Sequence, residues 1–154
     1  MTKTLSDNGI ALLKQLEGFR ARPYNDAAGK LTIGYGHLIV RGDGVSKDDI
    51  LEEVQATGLL KRDVKKAEDC VNECVVTSIN QNQFDALVIF AFNVGNYALQ
   101  NSTLLQKLNK GDYEGASEQL LRWCKVRTAQ GAFVELAGLK NRRLAEQKLF
   151  NTPA

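Results

Sequence analysis

Apolar residues Ile10, Leu13 and Leu16 recur at helical spacing behind Ser6-Asp7, a pair suited to capping a helix N-terminus, and Gly18 stands where that helix should stop. The pattern then changes. A short extended run interrupted by Pro23, the turn residues Asn25-Asp26-Ala27-Ala28-Gly29-Lys30 and the returning Leu31-Thr32-Ile33-Gly34-Tyr35 read as a hairpin. With the loop centred near Gly29 or Lys30, Asp26 and Thr32 are expected to be cross-strand neighbours. Turn residues continue through Gly36, Gly42, Asp43 and Gly44, so a small irregular β region is expected to end near Val45, with Arg41-Gly42-Asp43 as part of its turns.

Helical periodicity resumes at Ser46, where Asp49 three residues on resembles a capping box. Ile50, Leu51, Val54, Leu59, Leu60, Val64, Ala67 and Val71 carry it to about Val76, with Gly58 as the expected break or bend. Asn80-Gln81-Asn82-Gln83 opens the most apolar helix, Phe84 to Phe92. Its hydrophobic residues occur nearly all round, as expected at the centre of a helical lobe, and it ends at Asn93-Val94-Gly95. Ser102-Thr103 starts a short helix to Asn109, Gly111 stops it, and Asp112 starts another to about Cys124. A looser stretch through Gly131 and Gly138 leads to a final helix, Leu139 to Phe150. Helix, small sheet, then only helices describe an α+β protein with the sheet at one side.

A chain of 154 residues can bury one full core, or fold as two lobes around a cleft. The expected division of this single domain, 1–154, is a small β-containing lobe at about 18–58 and a helical lobe at about 59–154 joined by the N-terminal helix. With 44% hydrophobic and 25% charged residues, no window approaches the roughly 20 apolar residues of a membrane span, so no membrane insertion is expected. The first nine residues lack the basic head and apolar core of a secretory signal. A formal charge of +2 gives no reason to expect a nucleic-acid partner. Three cysteines, an odd number without an export signal, point to reduced thiols. Cys70 and Cys74 stand four apart, but His37 is the only histidine and no second close pair follows, so neither a metal site nor a cofactor is expected. No Gly-x-Ser-x-Gly elbow, His-Glu-x-x-His run or Walker loop occurs, and Gly34-Tyr35-Gly36 lacks the third glycine of a dinucleotide loop, Ile39 standing in its place.

What remains is acidic chemistry. Taken singly, Glu17 reads as a solvated helix-end charge, Asp26 as a turn residue bonding its own backbone, Thr32 as a strand former and His37 as a core histidine satisfied by a carbonyl or carboxylate. Taken together, one carboxyl at a helix end and another on a facing hairpin form the pair that glycosidic hydrolysis needs. One protonates the departing oxygen; the other activates water or stabilises the charge developing on the sugar.

Glu17, eight residues, Asp26, five residues and Thr32, continued as Thr32-Ile33-Gly34-Tyr35-Gly36-His37, resembles the signature of the phage-type lysozymes, glycoside hydrolase family 24. Further landmarks of that family are similar to Asn82-Gln83-Phe84-Asp85-Ala86-Leu87, Phe90-Ala91-Phe92-Asn93-Val94-Gly95, Ser102-Thr103-Leu104-Leu105, Gly111-Asp112-Tyr113, Arg122-Trp123, and Gly138-Leu139 with Arg142-Arg143 and Glu146. Ala137 stands where family members commonly carry proline. The resemblance implies a lysozyme-like fold, mostly helical, with an active-site cleft between a small β-hairpin lobe and a helical lobe. It implies Glu17 as general acid, Asp26 and Thr32 as holders of the attacking water, Asn93 and Ser102 in the sugar groove, and Arg142 approaching Glu17 from the final helix. It also implies a substrate, bacterial peptidoglycan cut at its β-1,4 muramic bonds, and a monomeric endolysin; Thr32 beside Asp26, a neutral hydroxyl able to hold a water, predicts that the cut proceeds with inversion. That enzyme would wait in the host bacterial cytoplasm until a separate holin-type protein releases it to the cell wall. The alternatives are a lytic transglycosylase and a non-hydrolytic glycan-binding protein on the same fold.

Overall fold

The computed structural model describes residues 2–154. The chain divides into two compact units, one formed by Ile10–Lys65 and the other by Lys66–Ala154 together with the residues up to Gly9. The division falls after Lys65 and within the first helix, whereas the sequence pattern drew the lobes at about 58 and kept the whole N-terminal helix with the helical lobe.

The first helix, α1 (Asp7–Glu17), is capped by Ser6, whose hydroxyl accepts from the Gly9 amide at 3.0 Å. It ends as expected. Gly18 takes a left-handed φ of 74°, and its amide donates to the Lys14 carbonyl at 2.8 Å. Leu13 is fully buried. Strands β1 (Arg20–Asn25), β2 (Leu31–Gly34) and β3 (His37–Leu38) follow as an antiparallel sheet in that order.

The register corrects one expectation. Tyr24, not Asp26, pairs with Thr32, while the Asp26 amide donates to the Lys30 carbonyl at 2.8 Å. The loop is therefore one step tighter than the composition implied. Asp26 and Thr32 become diagonal neighbours on one face, about 7–8 Å apart by ordinary sheet geometry.

The helix expected at Ser46 also starts later. Ser46 and Asp49 do bond each other, the Ser46 amide donating to Asp49 at 2.8 Å, but they close a turn of their own. The Leu51 amide is committed to the Ala21 carbonyl of β1 at 2.8 Å, which a helix running through residue 51 could not allow. Helix α2 (Glu53–Asp63) begins behind Glu52, where Gln55 completes the capping box. Gly58 lies inside α2 and does not break it. The break falls at Val64, before α3 (Lys65–Cys74). Ile33 of β2 is fully buried, and a Cβ on Gly34 would stand 3.2 Å from Ala56 of α2, so helix and sheet pack closely here.

In the other unit, α4 (Gln81–Val94) is the central helix that its all-round hydrophobicity predicts. Asn80 and Gln83 form its capping box, and every residue from Phe84 to Ala91 is buried. Around it run α5 (Asn96–Gln100), α6 (Thr103–Asn109), α7 (Tyr113–Leu120) and α8 (Ala137–Phe150), and α8 packs along α4. Ser102 and Asp112 cap α6 and α7 through the amides of Leu105 and Gly115. The stretch read as loose contains a second antiparallel hairpin, β4 (Lys125–Arg127) and β5 (Phe133–Glu135), with Val126 paired to Val134 and all six strand residues exposed.

The N-terminal residues are strapped onto this unit by side chains. Asn72 bonds both the amide and the carbonyl of Lys3 at 2.9 Å, and Gln81 bonds the Thr4 carbonyl at 2.9 Å. The Leu5 amide donates to Glu68 at 2.6 Å, and Ser6 donates to Asp85 through both its amide and its hydroxyl. Glu68 and Asp85 are buried carboxylates, and these donors satisfy them.

Candidate active site

Glu17, Asp26 and Thr32 all lie in the unit Ile10–Lys65. Glu17 is half-buried at the last position of α1. Its carboxylate faces the turn after β2, so closely that a Cβ on Gly36 would stand 3.2 Å from Oε2. Gly36 has a φ of 75°, so both the space and the backbone at this position call for glycine.

Asp26 is fixed through a single oxygen. Its Oδ1 accepts from the amides of Ala28 at 2.9 Å and Lys30 at 2.8 Å, the aspartate turn expected of that sequence, while Oδ2 makes no hydrogen bond among the described residues. Thr32 is 2% exposed, and its hydroxyl donates to the Lys30 carbonyl at 2.9 Å. With its hydrogen used by the Lys30 carbonyl, the hydroxyl keeps lone pairs with which to accept from a water. The hairpin thus presents a carboxylate oxygen and a hydroxyl oxygen on one face.

His37 is buried on β3 between two carboxylates, with Nδ1 2.7 Å from Asp63 and Nε2 2.8 Å from Asp43. The structural reading of His37 holds, with carboxylates as its partners. Burial works against its charge, yet the hydrogen bonds to Asp63 and then Asp43 win and hold its pKa above the ordinary value. Asp43 is lowered to about 2 by the Val40 amide, then by His37 and the Val45 amide.

The remaining site residues from the sequence lie in the unit that contains Lys66–Ala154. Ser102 is 3% exposed and committed twice, accepting from the Leu105 amide of α6 at 3.0 Å and donating to the Leu99 carbonyl of α5 at 2.7 Å. Its neighbour Thr103 lines a cavity of about 620 Å³ together with Asn93, Arg122, Trp123, Lys125 and Phe133. Arg143 also borders this cavity and donates to Asn93 Oδ1. Arg142, expected to be the functional arginine, is buried and bonds Glu146 Oε2 and the Ile89 carbonyl at 3.3 and 3.4 Å. Arg143 is fully buried, stacked 5.0 Å from the Phe90 ring centre, and holds Glu146 Oε1 at 2.6 Å and the Trp123 carbonyl at 3.1 Å. Burial pushes the Glu146 carboxyl up to about 7 against the pull of Arg143 and Arg142.

Lys125 and Phe133 did not figure among the sequence candidates. They sit on the short exposed hairpin, and only the Gly131 turn marked it. Among the described residues no three His, Cys, Asp or Glu side chains converge as a metal site would need, and no helix is long and apolar enough to cross a membrane.

With this geometry in hand, comparison with known proteins is informative. The chain matches the family described as phage lysozyme over residues 14–146. It is 37% identical over 148 residues to the endolysin of Acyrthosiphon pisum secondary endosymbiont phage 1, covering 96% of this chain and 98% of that protein. Among solved structures, it is similar to an endolysin from Escherichia coli O157:H7 phage FAHEc1, with a TM-score of 0.91, 36% identity and coverage of 98% and 95%. It is also similar to the muramidase domain of SpmX from Asticaccaulis excentricus, with a TM-score of 0.90, 34% identity and coverage of 97% and 99%.

Proposed function

Because the chain belongs to the phage lysozyme family and has that family's α+β fold, we propose that it is an endolysin that hydrolyses the β-1,4 bond between N-acetylmuramic acid and N-acetylglucosamine in bacterial peptidoglycan. Glu17 gives its proton to the glycosidic oxygen as the bond to the anomeric carbon breaks. A water held by Asp26 and Thr32 attacks that carbon from the opposite face, and Asp26 takes the proton the water loses. The product has an inverted anomeric centre, Glu17 leaves as a carboxylate, and exchange with solvent resets both groups. Asn93 and Arg142 are assigned to substrate binding. The enzyme acts as a monomer, accumulates in the host cytoplasm and needs a separate holin-type protein to reach the wall.

The observation that carries this reading is the state of Asp26: one oxygen held by two backbone amides and the other without a hydrogen bond among the described residues, on the same face as a threonine whose hydroxyl hydrogen is used by the Lys30 carbonyl. A carboxylate fixed in this way is a base that can hold a water without wandering. A lytic transglycosylase, in which the sugar's own hydroxyl displaces the leaving group, has no use for the pair. The test is loss of turbidity of purified cell walls by the parent protein and by Glu17→Gln, with melting temperatures compared. An amide of equal size cannot donate a proton, so activity should vanish while the fold persists. Activity of Glu17→Gln within about tenfold of the parent would remove Glu17 from the mechanism.

A further inference from the structure

Three parts of the Ile10–Lys65 unit converge on one carboxylate that the reaction itself does not use. Glu53, the first residue of α2, accepts through Oε1 from the Lys14 ammonium of α1 at 2.7 Å, from the Tyr35 hydroxyl at 2.9 Å and from the Thr57 hydroxyl at 2.9 Å. The ring of Tyr35 is gripped on two sides as well. Lys14 Nζ lies 5.6 Å from its centre, and the Phe19 ring lies 5.5 Å away at a 46° tilt. Lys14 and Phe19 are the residues three before and two after Glu17 in the chain. Tyr35 is followed at once by Gly36, whose bare Cα faces the Glu17 carboxylate.

These contacts form a clasp around the end of α1. The helix turn that carries Glu17 is held to the β2–β3 turn through Tyr35, and Tyr35 is held by Glu53. The Lys14–Glu53 pair has side chains 26% and 50% exposed, and such pairs contribute little to stability. Gathering three donors onto one oxygen therefore does more for geometry than for stability. Hydrogen bonds from Lys14, then Thr57 and Tyr35, hold the Glu53 carboxyl at about 2, so it stays ionised in ordinary use. Burial and then Glu53 raise the Tyr35 phenol, so it stays a donor.

We propose that Tyr35 and Glu53 are positioning residues that set where the Glu17 carboxyl stands against the scissile oxygen, acting through Lys14, Phe19 and Gly36. The proposal rests on Glu17 being the general acid. It gives Tyr35→Phe and Glu53→Gln a specific signature, because both keep side-chain size while the first removes the hydroxyl that makes the link and the second removes the charge that gathers three donors onto one oxygen. A displaced general acid slows departure of a sugar hydroxyl, which needs a proton, and hardly affects departure of a 2,4-dinitrophenolate, which does not.

The experiment measures kcat and KM for Tyr35→Phe, Glu53→Gln and Glu17→Gln on peptidoglycan fragments and on a muramoyl oligosaccharide with a 2,4-dinitrophenyl leaving group. For the first two variants, kcat on the natural bond should fall about tenfold with KM nearly unchanged, and kcat on the dinitrophenyl substrate should stay within about twofold of the parent. Equal losses on both substrates, or no loss on the natural bond, would overturn the positioning role. Glu17→Gln is read separately: if it keeps the natural activity, the general-acid assignment itself has failed.

Discussion

Gly36 and the Glu17 carboxylate face each other across a space that only a hydrogen atom fills, since a methyl group on Gly36 would stand 3.2 Å from Glu17 Oε2. Alanine at this position would meet two difficulties. The φ of 75° costs an L-residue about 1–2 kcal/mol, and the carboxylate must retreat by a few tenths of an ångström. Gly36→Ala is expected to lower turnover about tenfold or more, out of proportion to a drop of a few degrees in melting temperature. Turnover equal to the parent would show that the Glu17 carboxyl does not need this clearance.

A second expectation concerns pH. His37 has a folded pKa above its ordinary 6.5, so its share of stability is fully present below 6.5 and is lost as pH rises through the folded value. Asp43 is depressed from 3.8 to about 2, so its share is present above 3.8 and is lost as pH falls toward 2. The cluster should therefore stabilise the Ile10–Lys65 unit most between 3.8 and 6.5. In Asp43→Asn the fall in melting temperature above 6.5 should become shallower than in the parent. Parallel curves for the two proteins would contradict the assignment.

Glu146 pairs with two buried arginines, one of them fully enclosed. Glu146→Ala would leave Arg143 charged and without its carboxylate in the interior, and breaking a buried pair in this way costs about 3–5 kcal/mol. Urea unfolding should register that loss. Glu146→Gln retains the shape and acceptor oxygen and should be the milder variant.

The three cysteines are free, and burial raises the Cys70 thiol and pushes that of Cys74 up to about 12. Thiolate is the reactive form, so alkylation of Cys70 and Cys74 by iodoacetamide at pH 8 should be far slower in the folded protein than in urea. Replacing all three with alanine should leave lysis intact, with some loss of stability from the buried Cys70 and Cys124. Inactivation of the folded parent by a reductant or a chelator would run against this.

Thr32 provides the stereochemical test. If its hydroxyl accepts from the attacking water, Thr32→Ala should slow the reaction by misplacing that water while the parent yields the α-anomer at the new reducing end. Proton NMR of fresh product distinguishes the cases. An initial β-anomer means retention, and a 1,6-anhydro end means transglycosylation.

Much of this arrangement is legible in the sequence where local chemistry determines it. The end of α1 at Glu17 follows from periodicity and one glycine, and the burial of α4 follows from apolar residues on every side. The start of α2 is not legible, because the bond from Leu51 to Ala21 spans thirty residues and overrides a capping pair that is present and formed. The β4–β5 hairpin escapes notice because its strands are short and fully exposed, leaving no alternation to read. Within the site, the types and spacing of Glu17, Asp26 and Thr32 are in the sequence. The exact pairing across the hairpin is set by the Asp26 turn, and the choice of Arg143 over Arg142 as the partner of Asn93 depends on how α8 is rotated against α4.

The N-terminal strap has a consequence for how the chain is made. Lys3, Leu5 and Ser6 leave the ribosome before Asn72, Glu68 and Asp85, which hold them and lie 69, 63 and 79 positions further on. At about 5–20 residues per second, those partners are synthesised roughly 3–16 s later. During that interval Lys3, Leu5 and Ser6 lack the side chains that bond them in the folded protein. The strap is fastened only after the segment that holds it has been made.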